Sequence, residues 1–367
     1  MSSFGSSLIV PSVQELVRKE ITEIPDRYIR TSCSSISLDH EINHSDSAAH
    51  IIPVINIESL LSGESILADN ELEKLHSACK DWGFFQVVDH GVSTSTIEKI
   101  KLEIHNFFEL PLEEKKKLWQ KPGDFEGFGQ LFVVSDEQKL DWSDMFGITT
   151  LPTIMRKPHI FAGVPLPLRE ALEEYALGLK NLTINILEKM AKALEMDSDE
   201  MRDLFSECYQ AMRLNYYPPC PKAEQVLGFS PHSDGDALTI VLQLNETEGL
   251  QIRKDGKWLP VKPIHNAFVV NIGDMMEIMS NGVYRSIEHR AVVNPTKERL
   301  SVAAFHSINL DAEIGPAHSL INPPHKPALF RRETGETYLK NFFARKLDGK
   351  SYLDSMSIKN ERANQST

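Results

Sequence analysis

The feature that most constrains this chain is a change of hydrophobic period near residue 210. Across residues 168–196, in LREALEEYALGLKNLTINILEKMAKALEM, apolar residues recur at helical spacing, which predicts a long scaffold helix. From Gln210 onward the texture becomes short apolar or alternating runs broken by turn residues: ALTIVLQL (237–244), NAFVVNIGD (266–274), SIEHRAVVN (286–294) and RLSVAAFH (299–306). Such spacing fits an antiparallel sandwich or barrel. Upstream, 52–57 and 84–91 read as strands, and 72–83, 97–108 and 112–119 as parts of a mostly helical stretch. Residues 32–49 are rich in Ser, Asp, Asn and His without apolar periodicity, which is linker composition. The expected organisation is α+β. An N-terminal extension with a polar linker (1–50) precedes a helix-rich region packing on the core (51–209), a β core (210–310) and a C-terminal helical segment with its tail (311–367).

A chain of 367 residues is ample for a sizeable core, and 41% hydrophobic with 25% charged residues is ordinary globular composition. A net charge of −13 disfavours nucleic acid and anionic membrane surfaces as partners. The four cysteines, Cys33, Cys79, Cys208 and Cys220, have no C-x-x-C spacing, so reduced thiols are expected rather than a zinc site or disulfide framework. Neither a signal peptide nor a run of membrane-spanning length is present. These features lead us to expect a cytoplasmic monomer, a nuclear share being compatible, that acts on a small molecule.

The tripeptide His-Ser-Asp occurs twice, at 44–46 and at 232–234. The first copy overlaps an H-E-x-x-H match, which binds zinc only on a helix, where spacing i, i+4 aligns both histidines. Its surroundings, HEINHSDSAAH, are polar and turn-forming, so a solvated linker is the expectation. The second copy lies in an extended stretch just before ALTIVLQL. On a strand, residues i and i+2 point the same way, so His232 and Asp234 would converge while Ser233 faces elsewhere. Three adjacent residues cannot form a nucleophile relay, and no G-x-S-x-G elbow exists, so a serine hydrolase is excluded.

Two ligands under-coordinate an iron or zinc ion, whereas two histidines and one carboxylate leave open positions for oxygen chemistry on iron(II). His265, His289 and His306 are candidates for the third ligand. His265 sits in the turn-like PIHNA, whereas His289 lies within a predicted strand and precedes Arg299-Leu300-Ser301 by ten residues. A period of two places Arg299, Ser301, Ala303 and Phe305 on one face. A buried arginine demands an anion, and with a neighbouring hydroxyl it forms a fork for a carboxylate, at about 1.5–3 kcal/mol per charge-assisted bond. In NYYPPCP, Asn215 and Tyr217 likewise share a face.

At these residues the chain resembles the plant 2-oxoglutarate- and iron(II)-dependent dioxygenases, most of all their senescence-related and alkaloid O-demethylase branch. The resemblance runs through DWGFFQVVDHG, MRLNYYPPCP, HSDGDALTIVLQ, NGVYRSIEHR, ERLSVAAFH and LDGKSYLDSM, nearly the whole chain. It implies a double-stranded β-helix, or jelly roll, flanked by helices. It also implies His232, Asp234 and His289 as iron ligands, Arg299 and Ser301 as partners of the distal carboxylate of 2-oxoglutarate, and co-substrate roles for Asn215 and Tyr217. The implied reaction is hydroxylation or O-demethylation of an apolar plant metabolite through an iron(IV)-oxo intermediate. It consumes dioxygen and releases succinate and carbon dioxide, with ascorbate as a supporting reductant. Phe305, Phe125, Phe128 and Phe132 are expected to line the substrate pocket, with Phe342 and Phe343 near its mouth. Two rivals keep the fold, an iron-dependent oxidase without 2-oxoglutarate and a non-catalytic small-molecule binder.

Overall fold

The computed structural model describes residues 7–19, 21, 23–30, 52–63, 65–121 and 124–358. The H-E-x-x-H match and the first His-Ser-Asp copy fall outside these residues, as does Cys33. Among the described residues, twelve strands build the two larger sheets. They are β1 (Val54–Asn56), β2 (Phe84–Val88), β3 (Gly127–Gly129), β4 (Asp144–Leu151), β5 (Tyr209–Tyr217), β6 (Phe229–His232), β7 (Leu238–Gln243), β8 (Leu250–Lys254), β9 (Lys257–Pro260), β10 (Phe268–Ile272), β11 (His289–Ala291) and β12 (Arg299–Ser307). The major sheet runs β1-β2-β10-β7-β12-β5-β4-β3 and the minor sheet β6-β11-β8-β9. The central pairings are antiparallel, as in β12 on β5 and β7. Together the sheets form a jelly-roll core flanked by helices.

The strands β3 and β4 arise within the stretch expected to be mostly helical. Every residue of β4, DMFGITTL, is buried, so the strand lacks the in-out alternation that betrays a half-exposed strand. Its register on β5 pairs Asp144 with Tyr216 and Gly147 with Arg213. The helix Leu166–Ala193 matches its periodicity, burying Leu168, Leu172, Tyr175, Leu179, Leu182, Ile186 and Met190 along one face. Each such side chain contributes about 1.5–3 kcal/mol on burial. Proline near the helix start costs no hydrogen bond there, and Tyr175 meets Phe268 of β10 edge-on at 6.2 Å.

The described N-terminal residues pack against the core. Val10, Val13, Ile24 and Tyr28 are buried with Trp142, Tyr217 and Phe229 in a second apolar cluster. Asp144 at the start of β4 accepts hydrogen bonds from Ser12 Oγ at 2.7 Å and from the backbone N–H groups of Val13 and Gln14 at 2.9 Å each. These bonds satisfy donors of the first turn of the helix Val13–Arg18 that have no partner within it. No helix among the described residues is long and apolar enough to cross a membrane. Cys79, Cys208 and Cys220 are free and buried.

Candidate functional site

His232 ends β6 and His289 begins β11, and the two are directly paired across the minor sheet. Asp234 lies just past β6, in the connection that carries the chain to β7 of the major sheet. The donor atoms of His232, Asp234 and His289 all lie within 4.8 Å of one another, and all three side chains are buried. His232 Nδ1 sits 2.8 Å from the carbonyl of Ser230 and His289 Nδ1 3.1 Å from that of Ile287. A carbonyl only accepts, so both protons reside on Nδ1 and both Nε2 lone pairs face inward. Burial, then the neighbouring His232, lowers the His289 pKa to about 4, which keeps that imidazole neutral at physiological pH.

Asp234 completes the cluster. Its Oδ2 accepts from Thr239 Oγ1 at 2.7 Å and from Asn271 Nδ2 at 2.8 Å, which turns Oδ1 toward the imidazoles. Oδ1 stands 3.4 Å from His232 Nε2 and 3.7 Å from His289 Nε2, too long for good hydrogen bonds. The hydrogen bonds from Thr239 and Asn271 favour the ionised form of this carboxyl. Three electron-pair donors thus converge without a proton between them, and His232 Nε2 is buried with no hydrogen-bond partner. Such a set is stable only around a cation, and two imidazoles plus one carboxylate suit iron(II) with positions left open. Ser233 turns the other way, its hydroxyl bonding Asp274 Oδ2 at 3.0 Å.

Across from the triad, β12 and β5 present a polar wall. Arg299 pairs in register with Tyr217, and Ser301 with Asn215. Arg299 is 3% exposed, its guanidinium 3.3 Å from Ser301 Oγ and 5.1 Å from the Tyr217 ring centre. Among the described residues no carboxylate pairs with it, and its Nε is buried without a partner. A desolvated guanidinium in that state fits a carboxylate ligand. Asn215 Nδ2 reaches Ser301 Oγ at 3.3 Å, tying the two strands behind that position. Gly249 makes room for Arg299, since a Cβ there would lie 2.8 Å from Arg299 Cδ. These groups and the triad line one cavity with about 450 Å³ of empty space.

A second, mainly apolar cavity, with about 680 Å³ of empty space including its open mouth, shares Arg213, His232, Asp234 and Phe305 with the first. Phe125, Phe132, Phe305, Phe342 and Phe343 all line it. Phe343 stacks on Phe125 at 5.0 Å and on Phe132 at 5.5 Å, so the helix Gly335–Phe343 closes against the 125–134 segment. Phe128 is the exception. Its ring is fully buried against Phe108 at 6.5 Å, with the Lys115 ammonium 5.4 Å away, so it belongs to the core rather than the pocket. Of the other histidines, His265 is exposed in a turn. His306 is buried 3.0 Å from Gln210, away from the triad.

Sequence reasoning missed Arg213. It lies on the same face of β5 as Asn215 and Tyr217, lines both cavities and rests over the rings of Phe229 and Phe305 at 4.3 and 5.2 Å. The period-two face of MRLNYY carried the signal. Thr239 and Asn271, which orient Asp234, were also missed, because neither offers metal-ligand chemistry of its own.

Residues 208–308 match the family described as "2OG-Fe(II) oxygenase superfamily", and residues 52–162 match "non-haem dioxygenase in morphine synthesis N-terminal". The chain belongs to the 2-oxoglutarate- and iron(II)-dependent oxygenases. It is 52% identical over 355 residues to codeine O-demethylase of Papaver somniferum, covering 96% of this chain and 98% of that protein. It is also 52% identical over 358 residues to oxoglutarate-dependent flavonoid 7-O-demethylase 1 of Ocimum basilicum, covering 98% and 94%. Among solved structures, JOX2 in complex with 2OG, Fe and JA superimposes with a TM-score of 0.83 at 33% identity, covering 95% of this chain and 98% of JOX2. As a family member the chain is an oxidoreductase that uses iron(II), 2-oxoglutarate and dioxygen.

Proposed function

We propose that this oxygenase hydroxylates or O-demethylates an apolar plant small molecule, with a methyl ether as the favoured target. The observation that carries the reading is the placement of His232 and Asp234 where a polar and an apolar cavity meet, with His289 on the polar side. His232, Asp234 and His289 would hold the iron. Arg299 and Ser301 would clamp the distal carboxylate of 2-oxoglutarate, with Tyr217 under the guanidinium and Asn215 bracing the serine. When bound, iron with 2-oxoglutarate and dioxygen supplies the oxidising power that breaks a C–H bond, releasing succinate and carbon dioxide. This chain's own residues supply placement. The Asn271 and Thr239 hydrogen bonds aim Asp234, the two backbone carbonyls aim the imidazoles, and the aromatic chamber excludes water and presents the substrate carbon.

Phe125, Phe132 and Phe305, with Phe342 and Phe343, would contact the substrate; their planar, stacked arrangement suits a fused-ring molecule. The names of the O-demethylase relatives support an O-methyl group on it. The buried free thiols support a reducing compartment such as the cytosol.

The test is anaerobic loading with iron(II) and 2-oxoglutarate, then exposure to air with a panel of methoxylated flavonoids and alkaloids. Succinate should form in step with product, detected as loss of a methylene mass with formaldehyde or as gain of one oxygen. Substrate oxidation without succinate would contradict the reading.

A further inference from the structure

We infer that Arg30, in the N-terminal segment, is a positioning residue for His232. It lies outside both stretches matched to the family, yet a short chain of hydrogen bonds joins it to the triad. The Arg30 guanidinium donates to Asp141 Oδ1 at 2.8 Å and to Ser230 Oγ at 2.9 Å. Ser230 Oγ in turn donates to the same Asp141 oxygen at 2.6 Å. The carbonyl of Ser230 is the acceptor that fixes His232 Nδ1 at 2.8 Å. One guanidinium, one carboxylate and one hydroxyl therefore lock the residue whose backbone aims the imidazole.

Surrounding contacts make the lock rigid. Arg30 N–H bonds the Gln225 carbonyl at 2.8 Å, and Trp142 N–H bonds that of Leu227 at 2.7 Å. Tyr28 meets Trp142 edge-on at 5.2 Å. The Arg30 and Asp141 side chains are only 18% and 13% exposed, so the pair is shielded more than a surface ion pair. His289 lacks such a device, because its acceptor carbonyl belongs to Ile287, whose side chain has no polar atom to fix it. The asymmetry gives the N-terminal segment one target, the His232 side of the site.

Partners of this kind commonly change metal affinity about 10–100-fold when removed. The inference rests on the reading of His232 as a metal ligand, so the test measures metal binding directly. Cobalt(II), whose visible spectrum reports its ligand geometry, is titrated into the metal-free full chain. Arg30→Met should weaken binding about tenfold and alter the spectrum. Arg30→Lys, which can still donate to both oxygens, should largely restore both. Arg27→Met removes a guanidinium that donates only to the Ser135 and Gln138 carbonyls of the same docking surface, and should leave both unchanged. Ser230→Ala keeps the carbonyl but drops the hydroxyl, and should reproduce the weakening while the Arg30–Asp141 pair stays in place.

Wild-type affinity and spectrum in Arg30→Met, or equal losses in Arg27→Met, would overturn the inference. A wild-type chain that binds no cobalt(II) would instead overturn the reading of the triad beneath it.

Discussion

The two cavities that meet at the triad are built in opposite ways. The polar cavity, proposed to hold the co-substrate, is walled by paired strands, its polar groups fixed in register, Arg299 opposite Tyr217 and Ser301 opposite Asn215. The apolar cavity, proposed to hold the substrate, is closed by the segment that carries β3 and by a C-terminal helix, whose phenylalanines stack on one another. The first has a geometry set by sheet hydrogen bonds and charge. The second has one set by apolar packing, which tolerates changes of shape more readily. A reaction with an invariant co-substrate and a variable substrate calls for that division.

The division can be broken at its shared wall. Asp234→Ala removes one of the three proposed ligands, and should weaken iron(II) binding by more than the roughly 100-fold upper range of outer partners. Both co-substrate-dependent spectra and turnover should vanish, as anaerobic titration would reveal. Arg299→Met should affect one cavity only. Losing one or two charge-assisted bonds of about 1.5–3 kcal/mol raises KM for 2-oxoglutarate about tenfold or more, with iron binding unchanged. Equal KM effects on the apolar substrate would show that the cavities are not separate.

Acid provides a control on the far side of β12. Burial lowers the His306 pKa from 6.5 to about 4. Below pH 6.5 the unfolded chain takes up a proton that the folded chain refuses, so stability falls as pH drops toward 4. The shift corresponds to about 3 kcal/mol, and His306→Asn should remove that part of the acid sensitivity in urea unfolding curves. Phe343→Ala comes next: it loses two stacked partners, so KM for the apolar substrate should rise several-fold and 2-oxoglutarate should be consumed without product. The smallest functional effect belongs to Phe128→Leu, which should lower stability by about 1 kcal/mol and leave both KM values alone.

The same division decided what was legible beforehand. His232, Asp234, His289, Arg299 and Ser301 stood out because metal-ligating and charged side chains at period-two spacing have few other reasons to occur together on strands. The jelly roll followed from the strand texture after Gln210 and from the family resemblance. The chamber resisted, because an apolar side chain in a pocket has the same chemistry as one in a core. Phe125, Phe128 and Phe132 look alike in sequence, yet only the packing of Phe342 and Phe343, some 200 residues away, selects the first and third. The strand β4 hid for a related reason, burial on both faces erasing its alternation. The N-terminal clamp on Ser230 was equally silent, since Arg30, Asp141 and Ser230 carry no common spacing.

One structure would test the account most directly: the iron-loaded chain crystallised anaerobically with 2-oxoglutarate. The account predicts the distal carboxylate within hydrogen-bond distance of Arg299 and Ser301, with the aromatic chamber left free. A carboxylate seated instead on Arg213, a buried guanidinium that lines both cavities, would contradict it.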